Sequence, residues 1–373
     1  MPRVFLSNFD FEHRLAGVNR SKAGDIAADL SATWLAIANP DDAIPGLEDV
    51  DDQFESELAS IGRTLPKRIA LPEYTAAPWG WDSESRAEAK RKGWHSVSPK
   101  PDAVARVNSR SFSFALEQQL ACGLPGAKRI DSVDAFQKIS ETACQWVVKA
   151  EFSMSSRERF LGNGRANQSH ANWVTKRLAE NGVVYFEPWV NVIEEAGAQF
   201  EVEECGTVKF VGVTGLLTTH DGRFAGCRIT ETDSAWKNEI AIAQRAAEAA
   251  RDAGYFGPLG IDMARYESGQ GVGSRPIQDL NGRYTMGRLS LGFRSCLAAE
   301  EHAAWLFLPW SRKRPARETF ACIRGRLPDG VRVVRTSPFC LGQHEVRLGT
   351  VLLIAGDELL LGEACRVAWG ECG

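Results

Sequence analysis

The sequence predicts an α/β protein: a parallel-sheet lobe at the N-terminus, a larger α+β unit behind it, and a small β-rich piece at the C-terminus. Three observations carry that expectation. Over residues 1–100 short apolar runs alternate with helical patterns, the rhythm of strands joined by crossover helices. At 199–203, 208–217 and 223–229 strand patterns follow one another with no helix between them, as antiparallel strands do. Finally, 373 residues exceed one average domain, so two or three lobes are expected to share the buried surface.

In chain order, Val4-Phe5-Leu6 reads as the first strand, 23–31 as a helix, 33–38 as a strand, 53–61 as a helix and 68–71 as a strand. This lobe lacks GxGxxG after its first strand, so no dinucleotide is assigned to it. Prolines 99 and 101 punctuate the chain and place a boundary near residue 100. A helix follows through Val104, Val107, Phe112 and Leu116, then another over 132–144 with Asp131 or Ser132 at its N-cap. The strand 146–149 leads into a polar loop at 153–168, a helix at 171–180 and a strand at 183–186. After the antiparallel run, a long helix over 235–253 stops at Gly254, where a left-handed residue suits glycine. Gly260-Ile261-Asp262 and 275–280 read as further strands, and beyond residue 300 the pattern becomes short strands, including 331–334 and 346–354. The expected division is 1–100, 101–295 with a hinge near 187–190, and 296–373.

Composition excludes several function classes. With 44 basic and 48 acidic residues the formal charge is -4, which provides no field to draw the chain to nucleic acid or an anionic membrane. The basic run Ser311-Arg312-Lys313-Arg314 is short and reads as a solvated turn. Polar Ser7, Asn8, Asp10 and Glu12 follow the opening apolar run at once, so no signal core forms there. The longest apolar runs fall far short of the ~20 residues that cross a bilayer. Nine Cys form no CxxC pair and no zinc spacing, and an odd, scattered set suits reduced thiols in the cytoplasm. Cys144 and Cys205 read as small core residues. The six His show no metal or triad spacing and read as structural.

The chemistry concentrates where Asp262, at a strand end, is followed by Asp279-Leu280-Asn281-Gly282-Arg283. Two strands of a hairpin would set these oxygens side by side. Magnesium takes octahedral oxygen ligands, commonly one or two carboxylates plus phosphate oxygens, so Asp262, Asp279 and the Asn281 amide oxygen form a candidate site. Arg283 would add a fixed fork of donors beside a transferring phosphoryl group. Alone, the same stretch also reads as a polar turn whose Asp and Asn cap the backbone.

Upstream residues complete a pattern. Asp262 with Asp279-x-Asn281-x-Arg283 resembles the paired metal carboxylates and Glu-x-Asn-x-Arg signature of the ATP-grasp superfamily. Lys149, closing its strand, resembles the lysine that family places over nucleotide phosphates, and Arg110 matches the position of its earlier phosphate-binding lysine. Phe186-Glu187-Pro188-Trp189-Val190 is similar to the hinge whose backbone reads the adenine edge, and Glu194 or Glu195 stands where a ribose hydroxyl would be held. The resemblance covers about residues 100–295 and implies an ATP-grasp fold with a preceding α/β lobe. It further implies ATP with magnesium, or manganese in its place, and small-molecule carboxylate and amine substrates of amino-acid or peptide-like kind. By analogy it also implies a homodimer. Three departures mark this chain: Arg110 replaces Lys, Asp279 replaces Glu, and the loop after Lys149 offers Ser155, Ser156, Arg157 and Arg159 in place of a glycine run. The implied activity is amide formation through an acyl phosphate. An ATP-grasp kinase and a catalytically decayed nucleotide-binding protein are the alternatives.

Overall fold

The computed structural model describes residues 1–17, 23–47, 49–66, 73–152, 158–219, 222–229, 233–309 and 315–372. In the N-terminal lobe, strands β1 (Arg3–Leu6) and β2 (Thr75–Pro78) pair in parallel, and single bridges at Val4 to Ala43 and Thr75 to His95 add parallel neighbours. Around them lie helices α1 (Phe11–Leu15), α2 (Ala23–Leu30), α3 (Asp52–Ala59) and α4 (Ser83–Lys92). The strand expected at 33–38 is instead a 3-10 helix, Ser31–Ala36. All six of its residues are buried, and Trp34 stacks on Phe5 at 4.6 Å, so no exposed face gave the pattern a period to read. The strand expected at 68–71 lies outside the described residues.

Next come α5 (Pro101–Val107) and α6 (Arg110–Gln119), two helices where one was expected. The break falls at Asn108 and Ser109 because the Ser109 hydroxyl accepts from the Phe112 N–H at 3.2 Å and starts a new N-terminus. Strands β3 (Lys128–Ile130), β4 (Gln145–Lys149), β5 (Arg159–Asn163) and β6 (Val184–Pro188) form an antiparallel sheet in the order β3-β6-β4-β5. Strand β5 occupies part of the expected polar loop. Helices α7 (Val133–Ser140) and α8 (Gln168–Asn181) cover one face of this sheet through Phe136, Trp146, Val174 and Phe186. The other face looks toward the larger sheet.

That larger sheet holds β7 (Val192–Val202), β8 (Val208–Thr218), β9 (Phe224–Arg228), β10 (Gly257–Ser268), β11 (Gly271–Asn281), β12 (His302–Pro309), β13 (Arg332–Arg335) and β16 (Leu348–Ala355). The order is β11-β10-β7-β8-β9-β12-β16-β13, antiparallel throughout. Two short strands, β14 (Cys340–Leu341) and β15 (His344–Glu345), form a hairpin of their own. Helices α9 (Lys237–Asp252), α10 (Met286–Ser290), α11 (Ala316–Arg326) and α12 (Glu358–Cys372) complete the chain. The long helix α9 ends before Gly254, whose φ of 84° is the left-handed conformation expected there. The C-terminal strands thus prolong the central sheet, and α11 and α12 join them without having been announced by the sequence pattern. Cys144 and Cys205 are exposed at turns, not buried as expected. No helix among the described residues is long and apolar enough to cross a membrane. The basic run 311–314 lies outside the described residues.

Candidate functional site

The β10–β11 hairpin sets Asp262 directly opposite Asp279. Side chains on paired antiparallel residues share a face, so the two carboxylates are brought together by register alone. A bulge follows Asp262 on this hairpin. Burial first, and the Asp279 charge second, push the Asp262 carboxyl up to about 7. Asp262 has one hydrogen-bond donor, the Asn281 amide at 3.2 Å, and Asp279 is paired with Arg110 at 3.2 Å. Two facing carboxylates, of which only Asp279 has an arginine paired with it among the described residues, are a donor set that a hard divalent ion would complete. No third His, Cys, Asp or Glu joins them in a metal-holding group among the described residues, so phosphate or water oxygens would supply the remaining positions. The Asn281 oxygen accepts from Arg283 at 2.9 Å, so the amide must turn before it could ligate.

Arg283 is held on several sides. Its guanidinium donates to the Tyr284 carbonyl at 2.8 Å, lies 5.2 Å from the Trp79 ring centre, and forms an ion pair with Glu12 of α1. The loop carrying it is fixed by Asn108, whose amide bonds both the N–H (2.9 Å) and the carbonyl (3.3 Å) of Gly282. A Cβ on Gly282 would come within 2.8 Å of that Asn108 amide, so the close approach requires glycine. Tyr284 in turn packs edge-on to Trp34 at 5.1 Å and donates its N–H to the Trp79 carbonyl at 2.9 Å, tying the loop to the N-terminal lobe.

The opposite charge gathers where the small sheet meets α6 and β11. Lys149 Nζ sits 2.6 Å from Glu187, and Arg275 of β11 is bidentate to Glu187 (3.0 and 2.9 Å) and to Glu117 of α6 (2.5 and 3.1 Å). Burial alone would raise Glu187, but Arg275 and Lys149 outweigh it and hold the carboxyl well below the usual range. Burial lowers Lys149, only partly offset by Glu187. Arg110 is 6% exposed, starts α6, and donates to the Ala150 carbonyl at 3.2 Å as well as to Asp279. It therefore bridges the two sheets.

No protein-family model matches the chain, and no curated protein does. Solved structures do. Over 98% of this chain it resembles N5-carboxyaminoimidazole ribonucleotide synthetase from Thermus thermophilus, with a TM-score of 0.54 at 14% identity and 97% of that chain covered. A fungal counterpart from Aspergillus clavatus, solved with ADP and an aminoimidazole ribonucleotide, gives 0.53 at 11% identity over 98% of each chain. Biotin carboxylase from Campylobacter jejuni gives 0.51 at 13% identity, covering 79% of this chain and 74% of its own. These are ATP-grasp enzymes. The chain has the ATP-grasp fold.

Within that fold the expected residues are distributed as follows. Asp262, Asp279, Asn281 and Arg283 lie together on the hairpin and the loop after it, and Arg110, Lys149 and Glu187 converge where the two sheets meet. In the segment after β6, Pro188 has no N–H and the Trp189 N–H is donated to the Gln145 carbonyl at 2.9 Å. Ser155, Ser156 and Arg157 lie outside the described residues. Strand alternation turns Glu194 toward α9, where it meets Arg265 at 3.3 Å. Glu195, the other residue expected there, shares the face of Asp262 and accepts from Thr218 at 3.1 Å. Arg228 is paired with Glu358 and Arg265 with Glu239.

Two residues escaped the sequence. Glu117, from a helix that carries no motif, joins Glu187 in holding Arg275. Glu12 reaches Arg283 from the far lobe. A polar residue just past the first strand of a parallel lobe was the one available signal, since ligands gather at the carboxyl ends of such strands.

Proposed function

We propose that this protein is an ATP-dependent ligase that joins a carboxylate to an amine through an acyl phosphate, releasing ADP and phosphate. One observation carries the reading: the cations Arg110, Lys149 and Arg275, gathered where the two sheets meet, stand beside a facing carboxylate pair of which Asp279 is paired with Arg110 and Asp262 has no cation of its own among the described residues. Likeness to ADP complexes of the same fold supports use of the nucleotide.

On this reading Arg110 and Lys149 exchange their carboxylate partners for nucleotide phosphates, and the Val190 backbone takes the adenine edge. Asp262 and Asp279 would hold magnesium, which when bound shields phosphate charge. Arg283, kept in place by Asn281, Tyr284 and Trp79, donates toward the oxygens on which charge builds during phosphoryl transfer and acyl transfer. Little covalent chemistry falls to the protein, and positioning does most of the work. Residues 1–100 would supply the acceptor wall, 101–295 the nucleotide site and 296–373 an extension of its sheet.

The test is a screen of ADP release with ATP, magnesium, bicarbonate or pooled amino-acid carboxylates, and pooled amines, with Asp279→Ala as the control for contaminants. ADP release that depends on both a carboxylate and an amine, and that falls by about two orders of magnitude in Asp279→Ala, is expected. ADP release without an amine requirement would instead assign a kinase, and none from any pool would remove the activity.

A further inference from the structure

Glu12 is a buried carboxylate at this site whose surroundings among the described residues do not account for it. It lies on α1, just past the carboxyl end of β1 and near that of β2, where a parallel lobe presents its ligand-binding edge. The side chain is 7% exposed. Its ion pair with Arg283 is its single charged contact among the described residues, and beyond Arg283 and its own backbone N–H no donor is placed on the carboxylate there. Neighbouring cations are already committed: Arg14 is shared by Asp10, Asp82 and Glu84, while Asn8 bonds Asp82 at 3.0 Å.

A strut between lobes would not be built this way. A buried ion pair offsets the cost of desolvation only when further hydrogen bonds satisfy its remaining lone pairs, and among the described residues no side chain but Arg283 donates to Glu12. Burial pushes the Glu12 carboxyl upward, the Arg283 charge counters this only in part, and the Asp279 charge adds to the rise. The missing partner should therefore carry several N–H donors and a positive charge, and it should sit next to Arg283. An ammonium group meets all three conditions.

We propose that Glu12 docks the amine substrate as its ammonium ion and takes its proton. The inference rests on the ligase reading. One N–H bond breaks and the proton passes to the Glu12 carboxylate. The freed lone pair forms the C–N bond at the acyl phosphate carbonyl while Arg283 faces the resulting oxyanion. Collapse of the adduct breaks the C–O bond to phosphate, and phosphate leaves with the second N–H proton.

The experiment compares two nucleophiles in the wild type and in Glu12→Gln, using ATP, magnesium and the carboxylate pool that supports ADP release. One nucleophile is the amino-acid amine found active in the screen, charged at neutral pH. The other is hydroxylamine, which is uncharged there and is read out as hydroxamate. The expected result is a loss at least tenfold larger with the amine than with hydroxylamine, because only the charged nucleophile needs a carboxylate to dock and deprotonate it. Equal losses with both, or none with either, overturn the role of Glu12 and leave the ligase reading intact. Absence of amine-dependent ADP release in the wild type defeats the ligase reading itself. If Glu12→Gln does not fold, Glu12→Asp decides: retracting the carboxylate by one methylene should raise the KM for the amine about tenfold and leave that for ATP unmoved, whereas an unchanged amine KM overturns the proposal.

Discussion

On the small-sheet side of the site Glu187 is gripped by two cations, whereas across the gap Asp262 has no cation paired with it among the described residues. The two carboxylates respond in opposite directions. Glu187 is held far below the ordinary carboxylate range and Asp262 is driven up to about 7. The difference teaches what each side lacks. Around Glu187 three cations, Lys149, Arg275 and Arg110, stand against Glu187 and Glu117, a surplus that suits an incoming anion. Around Asp262 the carboxylates of Asp279 and Glu195 add to its own charge and Arg283 counters them only in part, an imbalance that suits an incoming cation. A nucleotide with its metal would bring the two missing charges in one ligand.

Arg283 separates these sides and should show the largest effect. Replacing it with alanine removes the donor nearest to developing charge and leaves Glu12 unpaired. Turnover is expected to fall by ~10³-fold or more while ADP affinity changes by less than about threefold. Single-turnover kinetics alongside ADP titration check this, and a parallel loss of both would assign Arg283 to nucleotide binding.

Glu187 tests the balanced side through stability. Glu187→Gln leaves Lys149 and Arg275 short of a buried counter-charge, at a cost of about 3 kcal/mol at pH 7. The direction with pH follows from its lowered carboxyl. Stability that comes from the charged form is fully present above the ordinary value of 4.5 and drains away as the pH falls below it. The gap between wild type and Glu187→Gln in urea unfolding should therefore narrow from pH 7 to pH 3.5. A gap of constant size would mean that the carboxylate contributes through shape and not charge.

The sequence announced the two sides unequally, for physical reasons. The hairpin pair was legible because register is a local property: two strand patterns joined by a turn put Asp262 and Asp279 opposite each other, and β10 and β11 do so. The caps at Ser132 and the glycine stop after α9 were legible for the same reason. The ion pairs around Glu187 were not, because Glu117, Arg275 and Lys149 come from a helix and two strands whose meeting depends on how the sheets pack. The 3-10 helix at Ser31–Ala36 was misread as a strand because an apolar run buried on every side has no period. Glu12 sat in a polar stretch with the composition of a loop, and its contact with Arg283 exists only once the aromatic set of Trp34, Trp79 and Tyr284 has drawn the lobes together.

The smallest predicted effect separates two adjacent residues that sequence could not rank. Strand β7 is acidic on both faces, so composition leaves Glu194 and Glu195 equivalent, and only its pairing with β10 decides which one turns inward. Glu195 stands across from Ala264 on the Asp262 face, with Thr218 and Gln278 donating to its carboxylate at 3.1 and 3.4 Å, so it is already oriented. A charge-assisted hydrogen bond to a ribose hydroxyl is worth ~1.5 kcal/mol, so Glu195→Gln should raise the KM for ATP by about tenfold. Glu194→Gln disturbs a half-exposed pair with Arg265 on the far face and should leave that KM unchanged. The reverse ranking would mean that β7 shifts register when nucleotide binds, and the same shift would carry Gly197 and Gln199 away from the hairpin that positions Asp262.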